Sequence, residues 1–139
     1  IRCFAVLSKT ERLTMDPQQL RFTSSHEWIA PDGTVGISDH AQHEITDVVF
    51  VELPKPGRAV KAQEACAVVE SVKAAFDIYA PVGGTISAVN DECVKNPGLV
   101  NQHPYGAGWL YKITMASPAD REKLMTHEGY QTFLKSAAH

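Results

Sequence analysis

The residue best placed to do chemistry is Lys73. It is the only basic residue between Gln63 and Val94, and Glu70 and Asp77 flank it. A lysine becomes a good nucleophile when burial or a neighbouring cation lowers its pKa, whereas neighbouring acids raise that pKa. We therefore interpret Lys73 as a site of covalent attachment and not as a catalytic group.

Two short apolar segments would present Lys73 at the tip of a hairpin. Residues 66–69 have the β-branched composition of a strand, and residues 76–79 can return antiparallel to them. The connection contains no Gly, Asn or Pro, so it lacks the sequence of the commonest two-residue hairpin turns. A lysine at such a tip is accessible to other proteins.

The rest of the chain predicts a mainly β fold. Further strands are expected at residues 22–29, 34–37, 48–53, 60–62, 85–89 and 109–115. A helix over residues 39–45 would be capped by Ser38, residues 90–95 would form one helical turn, and residues 96–107 would form a long ordered loop. Near the end, a helix is expected from Ser117 to about Thr126, with Gly129 breaking it before a second short helix. Many short strands followed by terminal helices predict a flattened barrel or sandwich of two antiparallel sheets with short C-terminal helices.

Composition excludes several classes of function. The chain has 139 residues, 44% of them apolar and 21% charged, as expected for one globular domain. No run approaches the roughly 18 apolar residues of a membrane span. A net charge of −3 does not suggest nucleic-acid binding. Residues 26–77 hold nine acids and four bases, a balance that would attract partners with basic docking surfaces.

The three cysteines predict neither disulfides nor zinc. Cys3, Cys66 and Cys93 are odd in number and form no Cys-x-x-Cys motif. Cys66 lies in an apolar strand and is expected to be a small core residue. Any redox chemistry would therefore come from an added group.

Six segments resemble the H-protein family of the glycine cleavage system, and they occur in that family's order. They are SHEW (25–28), VGISDHAQ (35–42), DVVFVELP (47–54), ESVKA (70–74), LVN (99–101) and PYGAGW (104–109). The resemblance covers residues 20–134. It implies a biotinyl/lipoyl-type fold of two antiparallel sheets and a carrier component that is not itself an enzyme.

The resemblance also implies a cofactor and partners. Lipoate would be attached to Lys73 in amide linkage, and the surrounding cofactor-binding residues would be Glu70, Ser71, Val72, Ala74 and Asp77. The carrier would shuttle the aminomethyl group of glycine between glycine decarboxylase (P protein), aminomethyltransferase (T protein) and dihydrolipoyl dehydrogenase (L protein). A lipoyl-attaching enzyme is a fourth partner, which could recognise Glu70 and Asp77. We expect the carrier to be a monomer.

Ser25 and Glu27 are candidates for a cleft that holds the loaded arm. In the family, this segment is associated with that cleft. A carboxylate such as Glu27 could bind an ammonium through a charge-assisted hydrogen bond, with Trp28 as an apolar wall beside it. The alternative is that Glu27 is only a solubilising charge.

Other interpretations of the chain remain open. His40 and His43, with Glu44 beside them, could bind a metal, but no third ligand has suitable spacing, so a solvated helix face is favoured and no metal site is expected. A biotin or lipoyl domain of another multienzyme complex is a second function class, although such domains usually carry Met around a biotinylated lysine or Asp before a lipoylated one. An enzyme using Lys73 for Schiff-base chemistry is a third, and it would need a pocket that lowers the lysine pKa.

The expected domain organisation is an N-terminal extension, residues 1–19, and a lipoyl-carrier domain, residues 20–139. Residues 1–15 are basic, rich in hydroxyl groups and poor in acids. That composition is typical of a mitochondrial transit peptide, although an ordinary extension would look similar. It predicts the mitochondrial matrix, with the bacterial cytoplasm as the alternative.

Overall fold

A computed structural model of the protein describes residues 15–137. Within that range, nine strands form two separate antiparallel sheets. The strands are β1 Arg21–Phe22, β2 Glu27–Ile29, β3 Thr34–Ile37, β4 Val48–Glu52, β5 Ala59–Val60, β6 Ala65–Ser71, β7 Ala75–Tyr79, β8 Gly84–Val89 and β9 Tyr111–Met115. The larger sheet has the order β1-β2-β3-β9-β8-β5, and the smaller has the order β4-β6-β7. The predicted mainly β fold of two antiparallel sheets is confirmed.

The main hydrophobic core lies between the two sheets. Alternate positions on strands of both sheets are apolar and almost fully buried, as Val35, Val69 and Ile86 illustrate. Alternation with a period of two residues therefore decides which face of each strand is inward. The inward faces fix the smaller sheet, and with it the hairpin of β6 and β7, against the larger sheet.

Five short helices accompany the strands in the described part of the chain. They are α1 Asp39–Ile45, α2 Asp91–Lys95, α3 Leu99–Gln102, α4 Ala119–Glu122 and α5 His127–Ala137, and a 3-10 turn spans Pro17–Gln19. Ser38 caps α1 as predicted, because its hydroxyl accepts from the N–H of Ala41 at 3.1 Å. No helix in residues 15–137 has the length and apolarity needed to cross a bilayer.

A second, smaller core lies beneath α5. Phe22 stacks on Tyr130 with ring centroids 4.5 Å apart, and Trp28 is fully buried beside them. Trp28 also donates its indole N–H to the carbonyls of Ile37 and Pro104, both at 3.0 Å. The C-terminal helix is thereby attached to the strands that precede the lysine hairpin.

The predicted strand over residues 22–29 is wrong, because a turn divides it. Residues 23–26 form that turn, the N–H of His26 donates to the carbonyl of Thr23 at 3.1 Å, and His26 adopts φ = 75°. The turn lets β1 and β2 pair with one another, Phe22 opposite Trp28. The loop expected at residues 96–107 also differs, since it contains α3.

The predictions for the C-terminal helices are wrong in their boundaries. Helix α4 ends at Glu122 because Met125 leaves the helical path and exchanges two backbone hydrogen bonds with Phe22. Gly129 does not break a helix but lies in the first turn of α5, where its N–H donates to the hydroxyl of Thr126 at 3.1 Å. The hydroxyl of Thr126 thus caps α5 by accepting from an N–H of its first turn, so a helix begins where the sequence predicted a break.

Candidate functional site

Lys73 is exposed at the tip between β6 and β7, as predicted. The tip is held by Ser71, whose hydroxyl accepts from the N–H groups of Lys73 at 3.2 Å and Ala74 at 3.3 Å. The N–H of Ser71 also donates to the carbonyl of Ala74 at 2.9 Å. These hydrogen bonds explain how a tight turn forms without Gly, Asn or Pro, since a serine side chain can satisfy the turn's backbone donors.

The other predicted neighbours divide into exposed and half-buried positions around the tip. Val72 is 76% exposed, Ala74 and Asp77 are also exposed, and Glu70 is half-buried. Glu70 lies opposite Ala75, and Asp77 lies opposite Val68. Residues two apart on a strand share a face, so both acids lie on the outer face of the smaller sheet.

A cleft of about 330 Å³ runs beside β7, the strand that descends from the lysine tip. One wall is formed by Phe76, Asp77 and Ile78 of that strand. The opposite wall is formed by the β1–β2 turn and α1, including Ser25, His26, His40 and Glu44. The sequence prediction placed Ser25 and Glu27 at such a cleft, with Trp28 as its apolar wall, and the structure brings Ser25 to the surface of the cleft.

Glu27 lies behind Ser25 and is 1% exposed. Its Oε1 accepts from the hydroxyls of Thr23 at 2.6 Å and Ser25 at 2.5 Å, and its Oε2 accepts from the N–H of Tyr79 at 3.2 Å. Burial raises the pKa of Glu27 above its ordinary value, and these hydrogen bonds oppose that rise. The carboxylate thus has hydrogen bonds from neutral groups only.

Trp28 does not form a wall of the cleft, contrary to the sequence prediction. It follows Glu27 on β2 and so points to the opposite face, into the core beneath α5. The apolar surface beside Ser25 comes from Ile37 and Ile45 together with Ile78. The prediction placed Glu27 and Trp28 together, but consecutive residues on a strand point to opposite faces of the sheet.

The histidines at the cleft were not predicted to have a role there. The rings of His26 and His40 lie 4.8 Å apart, and His26 Nδ1 is 2.7 Å from the hydroxyl of Tyr130. That hydroxyl is also 2.7 Å from the hydroxyl of Ser38. Burial, followed by the charge of His40, lowers the pKa of His26, although Glu44 opposes the shift. The one sequence signal available was the spacing of His40 and Glu44, four residues apart on one helix face.

Each helix α1 histidine lies near a carboxylate of its own helix. His40 Nε2 is 3.7 Å from Glu44, and His43 Nε2 is 3.5 Å from Asp39. Residues 15–137 contain no group of three or more His, Cys, Asp or Glu side chains arranged to hold a metal. Cys66 and Cys93 are free and buried. Burial raises both thiol pKa values, that of Cys93 to about 12, so neither is an activated nucleophile.

Sequence comparison relates this chain to a known protein family. Residues 20–137 match the family model described as Glycine cleavage H-protein. A glycine cleavage system H protein of Deinococcus radiodurans is 57% identical over 108 residues, which cover 78% of this chain and 90% of that protein. One from Paramagnetospirillum magneticum is 52% identical over 119 residues, covering 84% of this chain and 95% of that protein.

A solved structure shows the same fold. The crystal structure of a glycine cleavage system H protein from Mycobacterium marinum superposes with a TM-score of 0.76 at 36% identity, covering 89% of this chain and all of that one. These relatives are bacterial, so they lend no support to the mitochondrial prediction, and its basis, residues 1–15, lies almost wholly outside the described residues. The extent and identity of these matches show that the chain belongs to the glycine cleavage H-protein family.

Proposed function

We propose that this chain is a lipoyl-bearing carrier protein of the glycine cleavage system, with lipoate in amide linkage to Lys73. The observation that carries the proposal is an exposed lysine at a tip braced by Ser71, in a chain of this family. The exposed position leaves the amine accessible for acylation. The bracing gives the attached group a rigid base.

The residues around the tip fit a lipoyl group. The cleft begins on the strand that follows Lys73, and its apolar side chains, Ile37, Ile45 and Ile78, suit an acyl chain. The group would supply a reversible disulfide–dithiol couple and a sulfur that accepts the aminomethyl group. Cys66 and Cys93 cannot supply that chemistry, because they are buried and their thiol pKa values are raised.

Ser25 and Glu27 would hold the ammonium end of the carried group. Ser25 lines the cleft, and Glu27 lies behind Ser25 within hydrogen-bond distance. An ammonium nearby would favour the ionised form of Glu27 and lower its raised pKa. The apolar walls would limit the access of water to a carbon that loses its amine readily.

Family membership supports a set of proposed partners. They would be glycine decarboxylase, aminomethyltransferase and dihydrolipoyl dehydrogenase, with a lipoyl-attaching enzyme acting first. The chain itself would catalyse none of these reactions. Since the relatives are bacterial, the bacterial cytoplasm is favoured over the mitochondrial matrix as the compartment.

The structure does not favour Schiff-base chemistry at Lys73. The side chain is exposed at the hairpin tip and lines neither the cleft beside β7 nor the open groove on the outer face of the smaller sheet. A Schiff-base lysine needs a desolvated pocket that lowers its pKa.

Intact mass spectrometry tests the proposal. The protein is incubated with lipoate, ATP and a lipoate–protein ligase, together with Lys73→Arg and, as a matched control, Lys55→Arg. We expect wild type and Lys55→Arg to gain one lipoyl group and Lys73→Arg to gain none. An unmodified wild type, or modification that persists in Lys73→Arg, would overturn the assignment of the site.

A further inference from the structure

Strand β4 exposes two consecutive apolar side chains. Val49 is 52% exposed and Phe50 is 48% exposed, while Val48 and Val51 on either side are buried. The cause is a β-bulge between Val48 and Phe50, which places one extra residue against strand β6. A regular strand would turn one of the two side chains inward. Bulges of this kind often re-aim side chains beside functional sites.

These side chains lie next to the lysine hairpin. Val48 is paired with Ser71 and Phe50 with Glu70, the two residues that lead into the tip. Among the described residues, four large apolar side chains are exposed, and Val49, Phe50 and Val72 are three of them. The fourth, Val94, lies on α2, a helix that packs alongside β4. Three of the four exposed large apolar side chains in residues 15–137 therefore lie on the lysine hairpin or on the strand paired with it.

Acidic side chains border this apolar surface. Glu52 lies opposite Val68, and Val68 lies opposite Asp77, so these residues form one outward row across the sheet. Phe50, Glu70 and Ala75 form the next row towards the tip. The same face continues into an open groove of about 620 Å³, which Glu52, Val68 and Asp77 help to line. We call Val49, Phe50 and Val72, with Glu52, Glu70 and Asp77, the β4 patch.

We propose that the β4 patch is the docking surface for the enzyme that acylates Lys73, and that this enzyme contacts the patch with an apolar surface bordered by Arg or Lys. The inference rests on the proposed function. Exposed apolar patches bordered by polar residues commonly mark protein interfaces. The acidic border gives the charge complementarity that selects a basic partner.

The short reach of the unmodified lysine distinguishes the acylating enzyme from the other proposed partners. The unmodified amine is close to the body of the protein, so the acylating enzyme must cover the surface around the tip. The amine attacks the carbonyl carbon of an activated acyl donor, an acyl adenylate. The amide C–N bond forms as the mixed-anhydride bond breaks, AMP leaves with the electron pair, and the amine loses one proton to a base. Enzymes that act on the finished arm bind a lipoyl group, whose acyl chain adds to the reach of the lysine.

Steady-state kinetics of lipoylation test the proposal. The variants are Val49→Ser/Phe50→Ser, with Phe50→Leu as the apolar control, and Glu52→Gln, with Glu128→Gln on α5 as the charge control. Because docking contacts are made in both the ground state and the transition state, we expect the KM for the carrier to rise about tenfold in the double variant with kcat little changed. Glu52→Gln should raise KM less and weaken its dependence on salt. Both controls should behave as wild type.

A second assay identifies the partner. Samples of each variant that have been fully lipoylated by prolonged incubation are reduced by dihydrolipoyl dehydrogenase with NADH as the electron donor, and we expect wild-type rates. Unchanged lipoylation KM in the double variant would overturn this inference while leaving the proposed function intact. Normal lipoylation with slowed reduction would also overturn it, because the patch would then serve the dehydrogenase. A wild-type protein that accepts no lipoyl group would overturn both.

Discussion

Glu27 Oε2 accepts a hydrogen bond from the backbone N–H of Tyr79 at 3.2 Å and so joins the two sheets. Glu27 belongs to β2 of the larger sheet, whereas Tyr79 ends β7 of the smaller one. Strand β7 descends from the lysine tip and forms one wall of the cleft. The protonation state of Glu27 therefore affects a hydrogen bond to the strand that leads to Lys73.

The first prediction concerns the pH dependence of stability. Because burial raises the pKa of folded Glu27 above its ordinary value of 4.5, the folded state prefers the protonated form. Its stabilising contribution is complete below about pH 4.5 and is lost as pH rises through the raised folded pKa. Glu27→Gln keeps the shape and removes the titration. Urea denaturation from pH 4 to 8 should show that wild type loses stability relative to the variant across that window.

The comparison with the variant removes the contribution of other titrating groups. A difference between the two free energies of unfolding that does not change with pH would contradict the prediction. A difference that changes in the opposite direction would show that the folded pKa is lowered.

The second prediction uses the same variant to test the cleft. If Glu27 supports an ammonium through Ser25, Glu27→Gln should release ammonia from the aminomethyl-loaded protein several-fold faster, as loss of a contact of about 1 kcal/mol implies. Ser25→Ala should have a similar effect because its hydroxyl lines the cleft. Equal release rates in all three proteins would show that Glu27 and Ser25 do not retain the group. Asp120→Asn on α4 is a suitable control.

The third prediction separates the role of Lys73 from the fold. Lys73 is exposed, and exposed substitutions usually change stability by within about 0.5 kcal/mol. Lys73→Ala should therefore melt like wild type yet fail to support glycine-dependent release of carbon dioxide in the reconstituted system. Activity retained by the variant would mean that another residue carries the group.

The fourth prediction concerns the smaller core. A Cβ atom on Gly36 would lie 2.6 Å from the indole ring of Trp28, which two carbonyls hold in place. Gly36→Ala should lower the free energy of unfolding by about 1–3 kcal/mol, a typical cost of overpacking. Gly83→Ala is the control, because its nearest neighbour would be at an ordinary 3.5 Å. Equal denaturation midpoints for both variants would contradict the prediction.

The sequence predicted the lysine hairpin and the two-sheet fold because both depend on local patterns. Alternating apolar residues identify strands, and the lone base between two acids identifies Lys73. Ser38 as the cap of α1 was also predicted from its residue type. Whether Glu70 and Asp77 are recognised by another enzyme stays a prediction.

Long-range contacts decided what the sequence could not predict. Helix α4 ends early because Met125 pairs with Phe22, more than one hundred residues away in the chain. The cleft combines a turn, a helix and a strand that are separate in sequence, so His26 and His40 gave no signal of their meeting. The bulge at Val49 likewise depends on pairing with β6, and the sequence of β4 alone reads as a regular strand.

Side chains from elsewhere in the fold occupy backbone donors at both edges of the three-stranded sheet. Asn101 Oδ1 accepts from the N–H of Val48 on β4 at 2.9 Å, as Glu27 does from Tyr79 on β7. Free donors at a sheet edge are templates on which a strand of another molecule can add. Because these two donors are satisfied internally, each edge of the sheet offers fewer free donors to a strand of another molecule, which disfavours edge-to-edge aggregation.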